Sequence, residues 1–180
     1  MRTHPEWRVL NHGVNGERSD QIRVRLELMA RTWKRGSQKL RSAPDPHGID
    51  PDLIVLIAGV NDIYQGRSAE SVQDELAAMY DLARRAAIPI VAGTILPYNS
   101  ATGDQNIRMH AVNAWIGDHA APRDDMAFCD TRAAVARPDD PDRLVSSPDD
   151  LHPSPEGYRQ MALALEPVIR GLLARPMRRS

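Results

Sequence analysis

Asp149 and His152, three residues apart, have the types and spacing to activate a hydroxyl. The Asp149 carboxylate can fix one nitrogen of the imidazole, which leaves the other to take a proton. Pro153 follows directly, so the pair sits at the entrance to a predicted helix. Aspartate and histidine beside a proline turn are also ordinary loop residues, and the reading depends on what else reaches the same edge. Gly59-Val60-Asn61-Asp62 ends the apolar run Leu53-Ile54-Val55-Leu56-Ile57-Ala58, which predicts a strand buried on both faces. Gly59 lets the backbone turn sharply, and Asn61 can then project its amide as a donor. Upstream, a strand-like stretch at Val9-Leu10 gives way to the glycine turn and helix start Asn11-His12-Gly13-Val14-Asn15-Gly16-Glu17-Arg18-Ser19. Gly16 can offer a backbone N–H there. Open α/β sheets gather ligands beyond the carboxyl ends of their strands, and two fixed donors stabilise a developing oxyanion.

In this order the segments resemble the SGNH/GDSL hydrolase family. Gly16 matches the block II glycine and Asn61 the block III asparagine of G-x-N-D, with Gly59 and Asp62 as its supporting residues. Asp149 and His152 match the block V D-x-x-H pair. The resemblance runs from about Arg8 to the C-terminal helix. It implies a three-layer α/β/α, flavodoxin-like fold with a mostly parallel sheet, formed by residues 1–180 as a single domain. It also implies a serine-type ester hydrolase, with His152 as general base oriented by Asp149 and with Gly16 and Asn61 as oxyanion donors. Such chemistry requires no metal or cofactor, and its substrate is a small-molecule ester.

The departure from the family lies in block I, a Gly-Asp-Ser segment that carries the nucleophile ahead of the block II strand. A strand, its loop and a helix need roughly 25 to 30 residues, whereas Met1 to Arg8 alone precede Val9-Leu10. Gly-Asp-Ser occurs nowhere, and Gly103-Asp104 is followed by Gln105. The expectation is therefore an N-terminally incomplete domain, with its first strand missing and its serine upstream of Met1. By resemblance that strand lies between the strands near Val9 and Leu53, so its loss predicts self-association through an exposed sheet. Ser19, Ser68, Ser146, Ser147 and Ser154 are the candidate substitutes near the motifs, but Ser19 falls early in a predicted helix and capping accounts for Ser68 and Ser154. Cys129, in a predicted strand, reads as a small buried apolar residue.

The elements that must position these groups alternate along the chain. Arg18 to Lys34 reads as a helix through Ile22, Leu26 and Met29 and ends near Gly36, ahead of a Pro/Asp/Gly-rich loop at 42–51. Ser68 to Ala87 is an amphipathic helix, Ile90 to Ala92 a strand, and Asp104 to Ala120 a helix with Ile107, Val112, Ala114 and Trp115 inward. Met126 to Cys129 is a strand, Arg137 to Pro148 a polar loop, and Pro155 to Leu173 the closing helix. Repeated βα units of this kind imply a parallel sheet covered on both faces.

Composition narrows the function classes. A hydrophobic content of 42% and a net charge of -1 describe a globular chain without the basic bias of a nucleic-acid binder. One cysteine excludes an internal disulfide framework, and no apolar run reaches the length of a membrane span. Localisation turns on the N-terminus: cytoplasmic if Met1 is the true start, secretion if a segment precedes it. His4, His47, His110 and His119 read as surface histidines, His12 as a residue near the active edge, and Asp140 and Asp142 as parts of a solvated acidic loop. Arg18 can meet an anionic substrate group or pair with an acidic side chain. The competing reading is a non-catalytic relative that binds a ligand in the same cleft.

Overall fold

The computed structural model describes residues 6–33 and 51–175. Its elements run α1 (Ser19–Ala30), β1 (Ile54–Leu56), α2 (Val60–Tyr64), α3 (Ala69–Arg85), β2 (Ile90–Gly93), α4 (Gly103–Ala120), β3 (Met126–Cys129) and α5 (Pro155–Leu173). Local chemistry sets the helix starts. Ser68 accepts the Ser71 N–H at the start of α3, and Thr102 and Gln105 form a reciprocal box at the start of α4. Ser154 caps α5, with Pro155 in the first helical position.

The three strands form one parallel sheet in the order β1-β2-β3. Ile54 stands beside Ile90, which stands beside Met126; Gly93 faces Cys129 at the carboxyl end. Alternation along the strands divides the core. Leu56 and Ala92 face α3 and α4, where Val72, Leu76, Met109 and Ile116 are fully or almost fully buried. Val91 and Cys129 face α5 through Leu172 and the partly buried Val168. Helices thus cover the sheet on both sides, giving the α/β three-layer arrangement.

Several expectations need correction. The run from Leu53 yields only a three-residue strand, and Val55 is 40% exposed instead of buried. Its register partner Val91 is fully buried in the central strand, whereas β1 lies at the sheet edge among the described residues. No strand forms at Val9-Leu10, and Val9 is 82% exposed. Ile107 and Ala114 face outward on α4, while Met109, Val112, Asn113 and Ile116 face inward. Helix α1 begins at Ser19 and ends at Ala30. Lys34, Gly36 and most of the 42–51 loop lie outside the described residues, as do His4 and His47.

Candidate active site

At the carboxyl edge of the sheet, the 147–152 loop leads into α5 and folds around one carboxylate. Asp149 Oδ1 accepts the N–H of Leu151 at 3.1 Å and that of His152 at 2.7 Å. Its Oδ2 stands 2.7 Å from His152 Nδ1. A left-handed residue, Asp150 at φ +61, reverses the chain between these groups. The His152 N–H, the imidazole and the Leu151 N–H, in that order, hold the Asp149 carboxyl well below its ordinary value of 3.8. An ionised acceptor at that distance keeps the proton on Nδ1 and leaves the Nε2 lone pair as the basic site. The Ser147 hydroxyl donates to the His152 carbonyl at 2.7 Å.

The second component comes from the turn after β1. Gly59 at φ +116 caps α2, a conformation that L side chains rarely adopt. A Cβ there would lie 2.7 Å from Ile95 and 2.8 Å from Val72. From the first turn of α2, the Asn61 amide donates to the Glu17 carbonyl at 2.9 Å. That bond fixes the plane of the amide and occupies one of its two N–H groups.

Asp62, fully buried, faces the other way. It accepts the Ser19 N–H and the Ser19 hydroxyl, each at 2.7 Å, and Arg67 Nη1 at 2.8 Å. The carboxylate therefore joins the start of α1 to α2, and Ser19 is committed to it. Ser68 and Ser154 are caps, in agreement with the sequence reading.

A cleft of about 180 Å³ brings His152 and Asn61 onto one wall system with Asn15, Tyr158 and the apolar Ile57 and Leu96. Gly16 lies beside this cleft without lining it; its φ is +79 and no atom stands within 4 Å of a Cβ built there. His12 does not line it either. Arg18 pairs with Asp20 at 3.0 Å and reaches Gln65 at 3.2 Å, so the acidic-partner alternative describes it. Asn15 and Tyr158 escaped sequence reasoning. Tyr158 follows the Ser154 cap by four residues, one helical turn, and that spacing was the available signal.

Two histidines expected at the surface have specific partners. His110 Nε2 stands 2.7 Å from Asp142 Oδ1, which also receives Arg132 Nη2 at 2.6 Å. His119 stacks on Trp115 at 4.6 Å between centroids and also approaches Tyr80. Both partners are distant in sequence or one helical turn away on α4, and so are invisible to a search for ligand spacings.

Comparison with known proteins agrees with this architecture. A GDSL-like lipase from Bacteroides thetaiotaomicron superimposes with a TM-score of 0.71 at 20% identity, covering 89% of this chain and 74% of its own. A lipolytic protein of the G-D-S-L family from Veillonella parvula gives 0.65 at 22% identity, covering 89% and 79%. A carbohydrate esterase of family 3 from Talaromyces cellulolyticus gives 0.62 at 20% identity, covering 88% and 69%. At such identities the superpositions establish the shared fold. No curated protein sequence matches the chain. The profile of the GDSL-like lipase/acylhydrolase family, however, matches residues 2–160, and with most of its length so accounted for, this chain belongs to that family.

Proposed function

We propose that this protein is an ester hydrolase in which His152 is the general base, Asp149 orients it, and Gly16 and Asn61 receive the oxyanion. The observation that carries the reading is the 2.7 Å contact of His152 Nδ1 with Asp149, on an imidazole that shares a cleft with Asn61. A hydroxyl oxygen attacks the ester carbonyl and gives its proton to Nε2 of His152. The carbonyl oxygen becomes negative and is met by the second Asn61 N–H; the Gly16 backbone N–H, assigned from the family motif, is the second donor and must reach in from beside the cleft-lining Asn15. Collapse expels the alcohol, which takes the proton back from the imidazole. Water then attacks the acyl group, again losing a proton to His152, and the acid leaves as the hydroxyl is regenerated.

The hydroxyl itself comes, in this reading, from a serine outside the described residues. Among the described residues that line the cleft, the one hydroxyl belongs to the Tyr158 phenol. The same lining supports a second reading, a relative that binds an ester-like ligand without turnover.

The test is to treat the intact protein from its own cells with a fluorophosphonate and sequence the labelled peptide. The expected label sits on a serine outside residues 6–33 and 51–175, and His152→Ala suppresses it together with p-nitrophenyl acetate hydrolysis. A label on Ser19, Ser68, Ser146, Ser147 or Ser154 overturns the assignment of the nucleophile. Full hydrolysis by His152→Ala overturns the base. Ligand affinity without label or turnover gives the binding reading the lead.

A further inference from the structure

We infer that the Asn99 side chain positions the Asp149–His152 pair, acting through Asp150. This rests on the reading of His152 as the base. Asn99 lies in the segment between β2 and α4; two of its polar groups engage the 147–152 loop that carries the pair, and a third holds Leu144 ahead of that loop. Its N–H donates to the Asp150 carbonyl at 2.7 Å. Its Nδ2 donates to Asp150 Oδ1 at 3.0 Å, and its Oδ1 accepts the Leu144 N–H at 2.8 Å.

Two of these bonds go to Asp150, the one residue of the 147–152 loop with positive φ. Asp150 has φ +61, a conformation that costs an L residue energy and persists where the surroundings over-determine it. Everything useful about Asp149 depends on that reversal. It is what turns the Leu151 and His152 N–H groups back toward Asp149 Oδ1 and brings the imidazole to Oδ2. Asn99 fixes the reversal from outside the loop, gripping both the carbonyl and the carboxylate of Asp150. It does not line the cleft, although Leu96 and Pro97 just before it do. Its action on the chemistry is therefore indirect: it sets which imidazole nitrogen carries the proton.

Nitrogen-15 NMR of the full chain, at a pH where imidazole is neutral, reads that proton directly. The native protein should show His152 in the Nδ1–H form. In Asn99→Ala the Asp150 carboxylate and the Leu144 N–H lose their partner, and the Nδ1–H to Nε2–H ratio should fall several-fold. Adding Asp150→Gly, which adopts positive φ without a clamp, should restore the Nδ1–H form. Asn99→Ser provides the same comparison if the alanine variant fails to fold. A merely structural role for Asn99 changes the melting temperature and leaves the tautomer alone. An unchanged ratio in a folded Asn99 variant overturns the inference and leaves the base assignment standing. A native protein with the proton on Nε2 overturns both.

Discussion

Replacing Gly59 by alanine separates two costs that usually arrive together. The first is conformational: at φ +116 an L residue is strained by about 1–2 kcal/mol. The second is steric, because the new Cβ would stand 2.7 Å from Ile95 Cδ1 and 2.8 Å from Val72 Cγ1. Both neighbours are almost completely buried, at 1% and 0% exposure, so neither side chain has solvent to move into. Overpacking of this kind costs about 1–3 kcal/mol. The sum is about 2–5 kcal/mol, a large share of the roughly 5–15 kcal/mol that holds a domain folded. Gly66 supplies the control. It too has positive φ, +87, but no atom lies within 4 Å of its Cβ position. Gly66→Ala should therefore lose only the conformational part, about 1–2 kcal/mol. With about 2–4 °C lost per kcal/mol in a domain of this size, differential scanning calorimetry should place Gly59→Ala about 4–20 °C below the native protein and Gly66→Ala about 2–8 °C below it. Equal losses in the two variants would refute the steric argument, and with it the view that the turn before Asn61 is shaped by its packing.

Other consequences are open to simple assays. Asp62→Ala removes a fully buried carboxylate that partners Ser19 and Arg67; leaving those groups unpaired should lower stability by about 3–5 kcal/mol in urea denaturation. His119 is lowered from its ordinary pKa of 6.5 chiefly by burial, with Arg123 adding to the effect and Asp81 opposing it. The unfolded chain therefore takes up its proton first, so the His119 share of stability is complete above pH 6.5 and declines as the pH falls through the lower folded value. His119→Phe, which keeps the stack on Trp115 and Tyr80, should flatten the pH dependence of the melting temperature below pH 6.5.

The sequence was most readable where local chemistry decides. β3 and α5 have the bounds their periodicity predicts, and Ser68 and Ser154 cap where their types and positions suggest. The Asp149–His152 contact was legible for the same reason, since the four residues 149–152 of one turn contain all its atoms. Tertiary placement was not legible. The apolar run at Leu53 looks like a central strand, yet Val55 is exposed because burial depends on neighbours that composition does not name. Ile107 is as apolar as Ile116, but only the latter faces the sheet, and the choice between two helical phases came from packing. Asn99 carried no spacing that tied it to the site, and Asn15, although next to Gly16, carried no sign that its side chain lines the cleft. Their parts depend on contacts with residues far along the chain, or on the shape of a cleft that forms only after folding.

The bond from Asn61 to the Glu17 carbonyl makes the donor of one helix depend on the anchorage of another. Glu17 directly precedes α1, and α1 has a single fully buried residue, the polar Ser19. Its attachment consists of the partly buried Ile22 and Leu26, the Asp62 junction and ion pairs such as Arg23 with Glu75 at 2.6 Å. With its apolar contacts only partly buried and the rest polar, α1 is expected to open at lower free energy than the strands do. When it opens, the amide loses its fixed plane while the Asp149–His152 loop, secured from the opposite side of the cleft, is undisturbed. Hydrogen exchange on heating should therefore show the Glu17–Asn61 side of the cleft opening as a sub-global event, ahead of the sheet.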